Sequence, residues 1–473
     1  MKSFPTKVYL LAFVLRLIPV LLAFNLGIGL DDMFQYDMLG RSLTAGEGFK
    51  WYAIDDLQMI LPYVDIDIEG GNYDPSGVPT SFRAPLYPSF LAVVYALFGL
   101  ERRFFFARLL QAAITALLAP LTYALARRAF PEDERIARYA SVALAVYPLL
   151  VLFPIALATE NLFFVLVLAF VVALLKAGAS GDWRHYLLAG LTLGLAALTR
   201  SVVLAMLPFA MLWVWFWAKH RRGALILPAI VILMVAPWVT RNSLLHGELS
   251  TIESSMGYNL YLGYHPEGNG SFQFGISLDL LTILDDAERD RLGTQAALDF
   301  IRDEPALLLE RSVQKLGHFF AMERRAITYF YASNFFGYVP AGALLFIFGI
   351  FVLPFMFIAS LAALGLPFQT WSKERMLLLL LAVSYLLPHV FIMSEERFHL
   401  TLVPIIAVFA AHAWLQLKEI LKKMRSRPYL LATTFAVFLL ILLWGNWGAE
   451  LWRDADKLAI LFGPDGNLAG FSY

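Results

Sequence analysis

The chain has 473 residues, of which 59 % are hydrophobic and only 16 % charged, with a mean hydropathy of +0.66. A soluble chain of this length carries about 25 % charge, so the composition excludes an ordinary soluble protein and makes lipid the solvent for much of it. The 37 basic and 37 acidic residues cancel, leaving no overall field for nucleic acid, and the absence of cysteine removes disulfides, thiolate metal sites and cysteine nucleophiles.

At about 20 apolar residues per crossing, hydropathy predicts about eleven transmembrane helices: 8–30, 105–128, 137–156, 160–177, 186–200, 202–218, 223–240, 336–364, 376–394, 398–417 and 428–447. The first follows Lys2 and Lys7 but is long for a signal h-region and lacks a small-residue cleavage pattern, so it reads as an uncleaved anchor. Arg16 inside it is expected to snorkel or to face the bundle interior. Residues 186–200 are short for a crossing. The segment 84–100, broken by Pro85 and Pro88, is expected to lie along the outer interface with Tyr87 and Tyr95.

Arg127 and Arg128, Lys219, Arg221 and Arg222, Lys373 and Arg375, and the run Lys418, Lys422, Lys423, Arg425 and Arg427 all fall on one side of this arrangement. Retention of positive loops in the cytoplasm makes that side, and the amino terminus, cytoplasmic. The other side receives residues 31–83, with ten Asp or Glu, as well as 241–335 and the tail 448–473. Connections of that length are expected to fold over the outer mouth of the bundle. Within the second, Leu298, Ile301, Leu308, Leu309, Val313 and Leu316 have helical spacing over 296–320, interrupted by Pro305. The organisation expected is a transmembrane domain over 1–447, including a catalytic outer loop 31–104 and an outer loop 241–335, then an extracytoplasmic tail 448–473.

Asp31 and Asp32 stand where the chain leaves the first span. Adjacent residues point in different directions, so one of them faces a cavity. After them come Tyr36, Gly40, the run Gly46-Glu47-Gly48-Phe49, and Arg83-Ala84-Pro85-Leu86-Tyr87-Pro88. Further on stand Ala107-Arg108-Leu109-Leu110, Thr159-Glu160-Asn161-Leu162, Thr199-Arg200 at a bend, and Pro237-Trp238-Val239-Thr240-Arg241-Asn242. The series closes with Gly257-Tyr258-Asn259-Leu260-Tyr261-Leu262-Gly263 and Glu395-Glu396-Arg397-Phe398 leading to Pro404. In this order the sequence resembles the GT-C glycosyltransferases, in particular the bacterial relatives of protein O-mannosyltransferases and of the lipid A aminoarabinose transferase. The late motif departs from the usual Arg-Tyr by having two glutamates before Arg397 and Phe398 after it.

The resemblance implies an all-α polytopic membrane protein of GT-C fold, with interfacial helices and helical outer loops, in a bacterial inner membrane. It implies transfer of a monosaccharide from a polyprenyl-phosphate donor to an acceptor hydroxyl on the extracytoplasmic face, by an inverting single displacement. The expected partners are the donor, the bilayer and an acceptor that is lipid, glycan or protein, with no nucleic acid. A phosphate leaving group departs without protonation, so one base suffices, and a carboxylate raised toward useful basicity by desolvation can serve. Asp32, spaced to Tyr36 as in the family, is the first candidate base and Asp31 the second.

Arg83, Arg241 and Arg397 are expected to grip the donor phosphate, since guanidinium binds phosphate oxygens in bidentate fashion. Glu160 is expected to orient the acceptor, share a proton with Asp32, pair with an arginine, or cap its helix. Tyr36, Tyr87, Tyr258, Asn259, Tyr261, Glu396 and His399 are candidate substrate contacts, with the glycines around Tyr258 allowing a tight turn near a ligand. His389, His399 and Glu396 leave a divalent metal open without a metal signature, and no cofactor is implied. Three other readings compete: a lipid or sugar transporter or flippase, a non-catalytic membrane scaffold or degenerate family member, and a ligase or polymerase using a diphosphate-linked donor.

Overall fold

The computed structural model describes residues 3–61, 73–324 and 339–463. Among them the architecture is helical, apart from a two-stranded antiparallel ribbon in which Lys50 faces Pro79 and Trp51 faces Val78. The expectation of an all-α membrane fold holds. Seven helical segments are long and apolar enough to cross a bilayer: Phe4–Leu22 (α1), Arg103–Ala129 (α5 Arg103–Thr115 and α6 Leu118–Ala129), Glu160–Ser180 (α9), Arg221–His246 (α12), Ala341–Phe368 (whose α-helical part is α17, Ala341–Gly365), Lys373–Phe391 (α18) and Arg427–Arg453 (α21 from Leu430).

Two bent pairs raise the number to nine: α7 (Glu134–Val146) with the following 148–155 turn at 53°, and α19 (Val403–Leu415) with α20 (Leu417–Met424) at 75°. Among the described residues the expected count of eleven is therefore not reached. The 186–200 span is α10, Trp183–Ala197, 15 residues and hence about 22 Å long at about 1.5 Å per residue. The 202–218 span begins as a 3-10 turn before α11, Met206–Phe216. Both fall short of the roughly 30 Å of a hydrocarbon core.

The first span also ends early, at Leu22 instead of residue 30. Gly27 and Gly29 favour an irregular exit, and Arg108 of α5 collects the carbonyls that this exit leaves without helical partners. Its guanidinium donates to Leu26, to Gly27 at 2.7 Å, and across to Ile155 at 2.8 Å. Arg16 lies in the interior, fully buried, donating to the carbonyls of Ala12, Ala145 and Leu144 where α7 breaks.

The core runs through α6, α7, α9, α10, α12, α18 and α19. α10 is held between α9 and α12 by small residues one turn apart. A Cβ on Gly190 would lie 2.7 Å from Ile230 Cβ, and one on Gly194 2.8 Å from Met234 Cβ. In lipid, close backbone approach of this kind supplies much of the helix association.

The outer segments cover one end of the bundle. α2 (Asp32–Ala45) packs on α4 (Leu86–Phe98), the interfacial helix expected over 84–100. The second loop folds into α13 (Met256–Tyr264), α14 (Phe274–Leu281), α15 (Asp286–Asp303) and α16 (Ala306–Phe319). The break between the last two falls at Glu304 and Pro305, where proline was expected to interrupt the helical spacing. The tail continues α21 to Arg453 and forms Ala455–Leu461, and residues 464–473 lie outside the described residues.

Replacing Gly190 by Leu is expected to wedge α10 away from α12 at a cost of about 2 kcal/mol. A thermal melt of the purified protein checks this, and an unchanged midpoint would mean that the close contact does not hold the bundle together.

Candidate functional site

At the covered end of the bundle, side chains from five separated segments form one charged cluster. α1 ascends to this end, α9 starts from it, α10 ends at it, and α18 returns to it. The chain order alone therefore brings residues 32, 83, 160, 200 and 397 to a common level.

Asp31 is the N-cap of α2: its carboxylate accepts from the Met33 N–H at 2.8 Å, and the residue is exposed. Asp32, the first residue of the helix, turns the other way. Its Oδ1 receives Arg83 Nη2 in a short ion pair, and its Oδ2 faces Arg397 Nη2 at 3.4 Å. Gln35, one turn along α2, accepts from Arg83 Nε at 2.9 Å and Nη2 at 2.6 Å, and the Tyr36 ring lies 5.2 Å below the Arg83 guanidinium.

Arg397 rides on a 3-10 turn, Glu396–Thr401, between α18 and α19. Its Nε is 2.7 Å from Glu395 Oε2 and 3.7 Å from Glu160 Oε1. Glu160 opens α9 and receives Arg200 Nη1 at 2.6 Å, while Arg200 stacks over Phe398, 4.8 Å from its centroid. Glu396 is half-buried at the start of the turn.

The electrostatics differ from the expected raised base. Burial pushes the Asp32 carboxyl up, but Arg83 and Arg397 outweigh it and hold the group at about 2. Asp32 is thus an ion-paired anion in the free protein, and desolvation does not make it basic. Asp31 keeps an exposed surface, and crowding by neighbouring atoms raises its carboxyl above the usual range, opposed by its bond from Met33 N–H and reinforced by the Asp32 charge. The neighbouring carboxylates keep Arg83 and Arg397 charged despite their partial desolvation.

The structure thus gathers Asp32, Tyr36, Arg83, Glu160 and Arg397, and several expected residues stand elsewhere. Arg241 donates to the Thr80 carbonyl at 2.6 Å and lies over Trp238, clamping the end of the first loop to α12. Tyr87 is fully buried and donates to Gln111 Oε1 at 2.6 Å. His399 is fully buried, with Nδ1 2.8 Å from the Phe319 carbonyl and Nε2 2.9 Å from Glu323 Oε1, which also receives Tyr147 Oη at 2.5 Å. It anchors the turn that carries Arg397 and does not face the cluster. His389 packs between Phe319 and Phe398. Among the described residues no group of three His, Asp or Glu is placed to hold a metal ion.

The motif 257–263 is a helix, α13, and not a turn. Its glycines permit contact between backbones: a Cβ on Gly257 would sit 1.9 Å from the Asp290 carbonyl oxygen, and one on Gly263 1.9 Å from that of Ile392. Tyr258 packs edge-on against Phe82, Tyr261 donates to Asp279 at 2.9 Å, and Asn259 is half-buried. Sequence reasoning gave no site role to Arg200, Gln35 or Glu395. The available signal for Arg200 was an arginine at the end of an apolar helix.

Residues 82–240 match the family model described as dolichyl-phosphate-mannose-protein mannosyltransferase. No curated protein matches the sequence. Among solved structures, the Archaeoglobus fulgidus oligosaccharyltransferase in complex with Zn and sulfate aligns with a TM-score of 0.50 at 16 % identity, over 100 % of this chain and 59 % of that one. The same enzyme in its apo form aligns at 0.49 and 17 % identity, over 100 % and 62 %. ArnT from Cupriavidus metallidurans bound to undecaprenyl phosphate aligns at 0.49 and 14 % identity, over 97 % of this chain and 65 % of that one. The chain thus spans about three fifths of the oligosaccharyltransferase it matches.

Glu160 and Arg200 are a mostly buried pair, with side chains 4 % and 22 % exposed. Loss of either partner strands a charge, so Glu160→Ala and Arg200→Ala are each expected to cost about 3 kcal/mol of stability. The double variant should lose less than the sum by about 1 kcal/mol or more. Strictly additive losses in denaturant unfolding would show that the two side chains are not coupled.

Proposed function

Starting from a GT-C fold in which residues 82–240 match the dolichyl-phosphate-mannose-protein mannosyltransferase family, we propose that the chain is a membrane glycosyltransferase. It moves a monosaccharide from a polyprenyl-phosphate donor to an acceptor hydroxyl. One observation carries this reading: two guanidinium groups, Arg83 and Arg397, converge on the solvent-facing carboxylate of Asp32 at one end of an apolar bundle.

That arrangement suits a displacement at a sugar carbon. The phosphate oxygen leaving C1 takes the bonding electron pair, and Arg83 and Arg397 stabilise the charge that develops there. The acceptor oxygen forms the new bond to C1 from the opposite face, and its proton passes to Asp32. A single displacement inverts the anomeric configuration. Glu160 and Arg200 act on Arg397 from behind, fixing its direction through the 3.7 Å and 2.6 Å contacts.

The basic clusters at Arg127 and Arg128, Arg221 and Arg222, and Lys418 to Arg427 belong to the other end of the helices, which supports an extracytoplasmic site in a bacterial inner membrane. The donor, the bilayer and a lipid, glycan or protein acceptor are the partners of this reading.

Incubating the purified protein with radiolabelled undecaprenyl-phosphate sugars and membrane extracts tests the assignment. Asp32→Asn is expected to lower kcat by about a hundredfold or more. Asp31→Asn keeps a good N-cap and is expected to retain most of the activity. Full transfer by the Asp32 variant would remove Asp32 from the role of base.

A further inference from the structure

Arg83 and Arg397 already hold an anion, the Asp32 carboxylate. Among the described residues the ion-paired groups are matched, the carboxylates of Asp32, Glu160 and Glu395 against the guanidinium groups of Arg83, Arg200 and Arg397, while Asp31 and Glu253 act on Arg397 and Arg83 from further off as additional negative charge. A donor phosphodiester adds a negative charge to these paired groups at the partly exposed face of Asp32 and Arg397. Its binding therefore has to release one carboxylate from its arginines, since like charges at such a site cost several kcal/mol.

The three carboxylates are not equally free to leave. The side chains of Glu160 and Glu395 are 4 % and 8 % exposed, whereas that of Asp32 is 39 % exposed. Asp32 is also the first residue of its helix, directly after the irregular exit from α1, so its side chain can swing without moving a packed turn. Arg397, 36 % exposed, presents the matching open face.

We propose that Asp32 is a built-in competitor of the donor: the donor phosphate displaces its carboxylate from Arg83 and Arg397, and only a donor-loaded site holds Asp32 free to take the acceptor's proton. This inference rests on the glycosyltransferase reading above. Its consequence is an order of events, with donor before acceptor. Among the described residues Asp31, Tyr36, Arg83, Glu160, Arg200, Tyr258 and Arg397 are the titratable or charged groups facing Asp32. The two that hold it acidic are the two the phosphate would occupy. Burial, which works to raise the group, then acts with little opposition.

The test measures binding of undecaprenyl phosphate to the full chain in nanodiscs, for the wild type, Asp32→Asn, Asp32→Ala and Glu160→Gln. Both Asp32 variants are expected to bind about tenfold tighter, the equivalent of about one pKa unit of competition, while losing transfer. Glu160→Gln is expected not to tighten. Unchanged or weaker binding in both Asp32 variants, with the wild type still binding, overturns the exchange but leaves the donor assignment standing. Equal tightening in Glu160→Gln reduces the effect to general repulsion and also overturns it. Absence of binding in all four proteins overturns the donor assignment itself. The wild type supplies an independent arm, since a base freed by the donor loses its proton at higher pH than one still ion-paired. The acid limb of kcat should therefore lie at higher pH than that of kcat/KM for the donor, and coincident limbs overturn the proposal.

Discussion

The ion pairs among Asp32, Arg83, Glu160, Arg200 and Arg397 tie together parts of the chain that hydrophobic packing alone would leave free to slide. Lipid offers little driving force for apolar helices to choose one register over another. Charged side chains in a low-dielectric setting do have a strong preference, because each must meet its partner or bear the cost of desolvation alone. The positions of α2, α9, α10 and the 3-10 turn after α18 relative to one another are set by the requirement that these five side chains meet. The same requirement builds the site.

Much of the fold is legible in the sequence because lipid imposes a one-dimensional signal. The apolar segments, the short apolar helix at residues 86–98 and the break at Pro305 follow from composition and proline alone. What resists such reading depends on partners distant in the chain. The end of α1 at Leu22 depends on Arg108, more than eighty residues away, which donates to the carbonyls of the unwound backbone. The shortness of α10 depends on Gly190 and Gly194 meeting Ile230 and Met234.

The candidate site divides in the same way. Asp32, Arg83, Glu160 and Arg397 stand beside proline, glycine and aromatic residues in recognisable order, and the structure brings them together. Arg200 is marked in the sequence only by the Thr199-Arg200 bend, which gives it no partner, and its place is defined by Glu160 forty residues earlier. Conversely, His399, Tyr87 and Arg241 have the chemistry of site residues, yet each spends its polar atoms inside the protein, on Glu323, Gln111 and the Thr80 carbonyl. Composition reports what a side chain is able to bind, and only packing decides what it does bind. Tyr258 and Tyr261 illustrate the point: the glycines beside them serve the backbones of α15 and residue 392, not a ligand.

The occupied arginine pair also bears on the chain's surroundings. Ordinary phospholipids present phosphodiester headgroups at the depth where helices leave the hydrocarbon, in vast excess over any sugar carrier. Two bare guanidinium groups at that depth would be permanently saturated by these bystanders. Because Asp32 fills the pair internally, a headgroup must outbid a tethered carboxylate whose effective concentration never falls, and a ligand succeeds only when the rest of the cleft contributes further attraction. On the glycosyltransferase reading, discrimination against the bulk membrane is thus a property of the resting state.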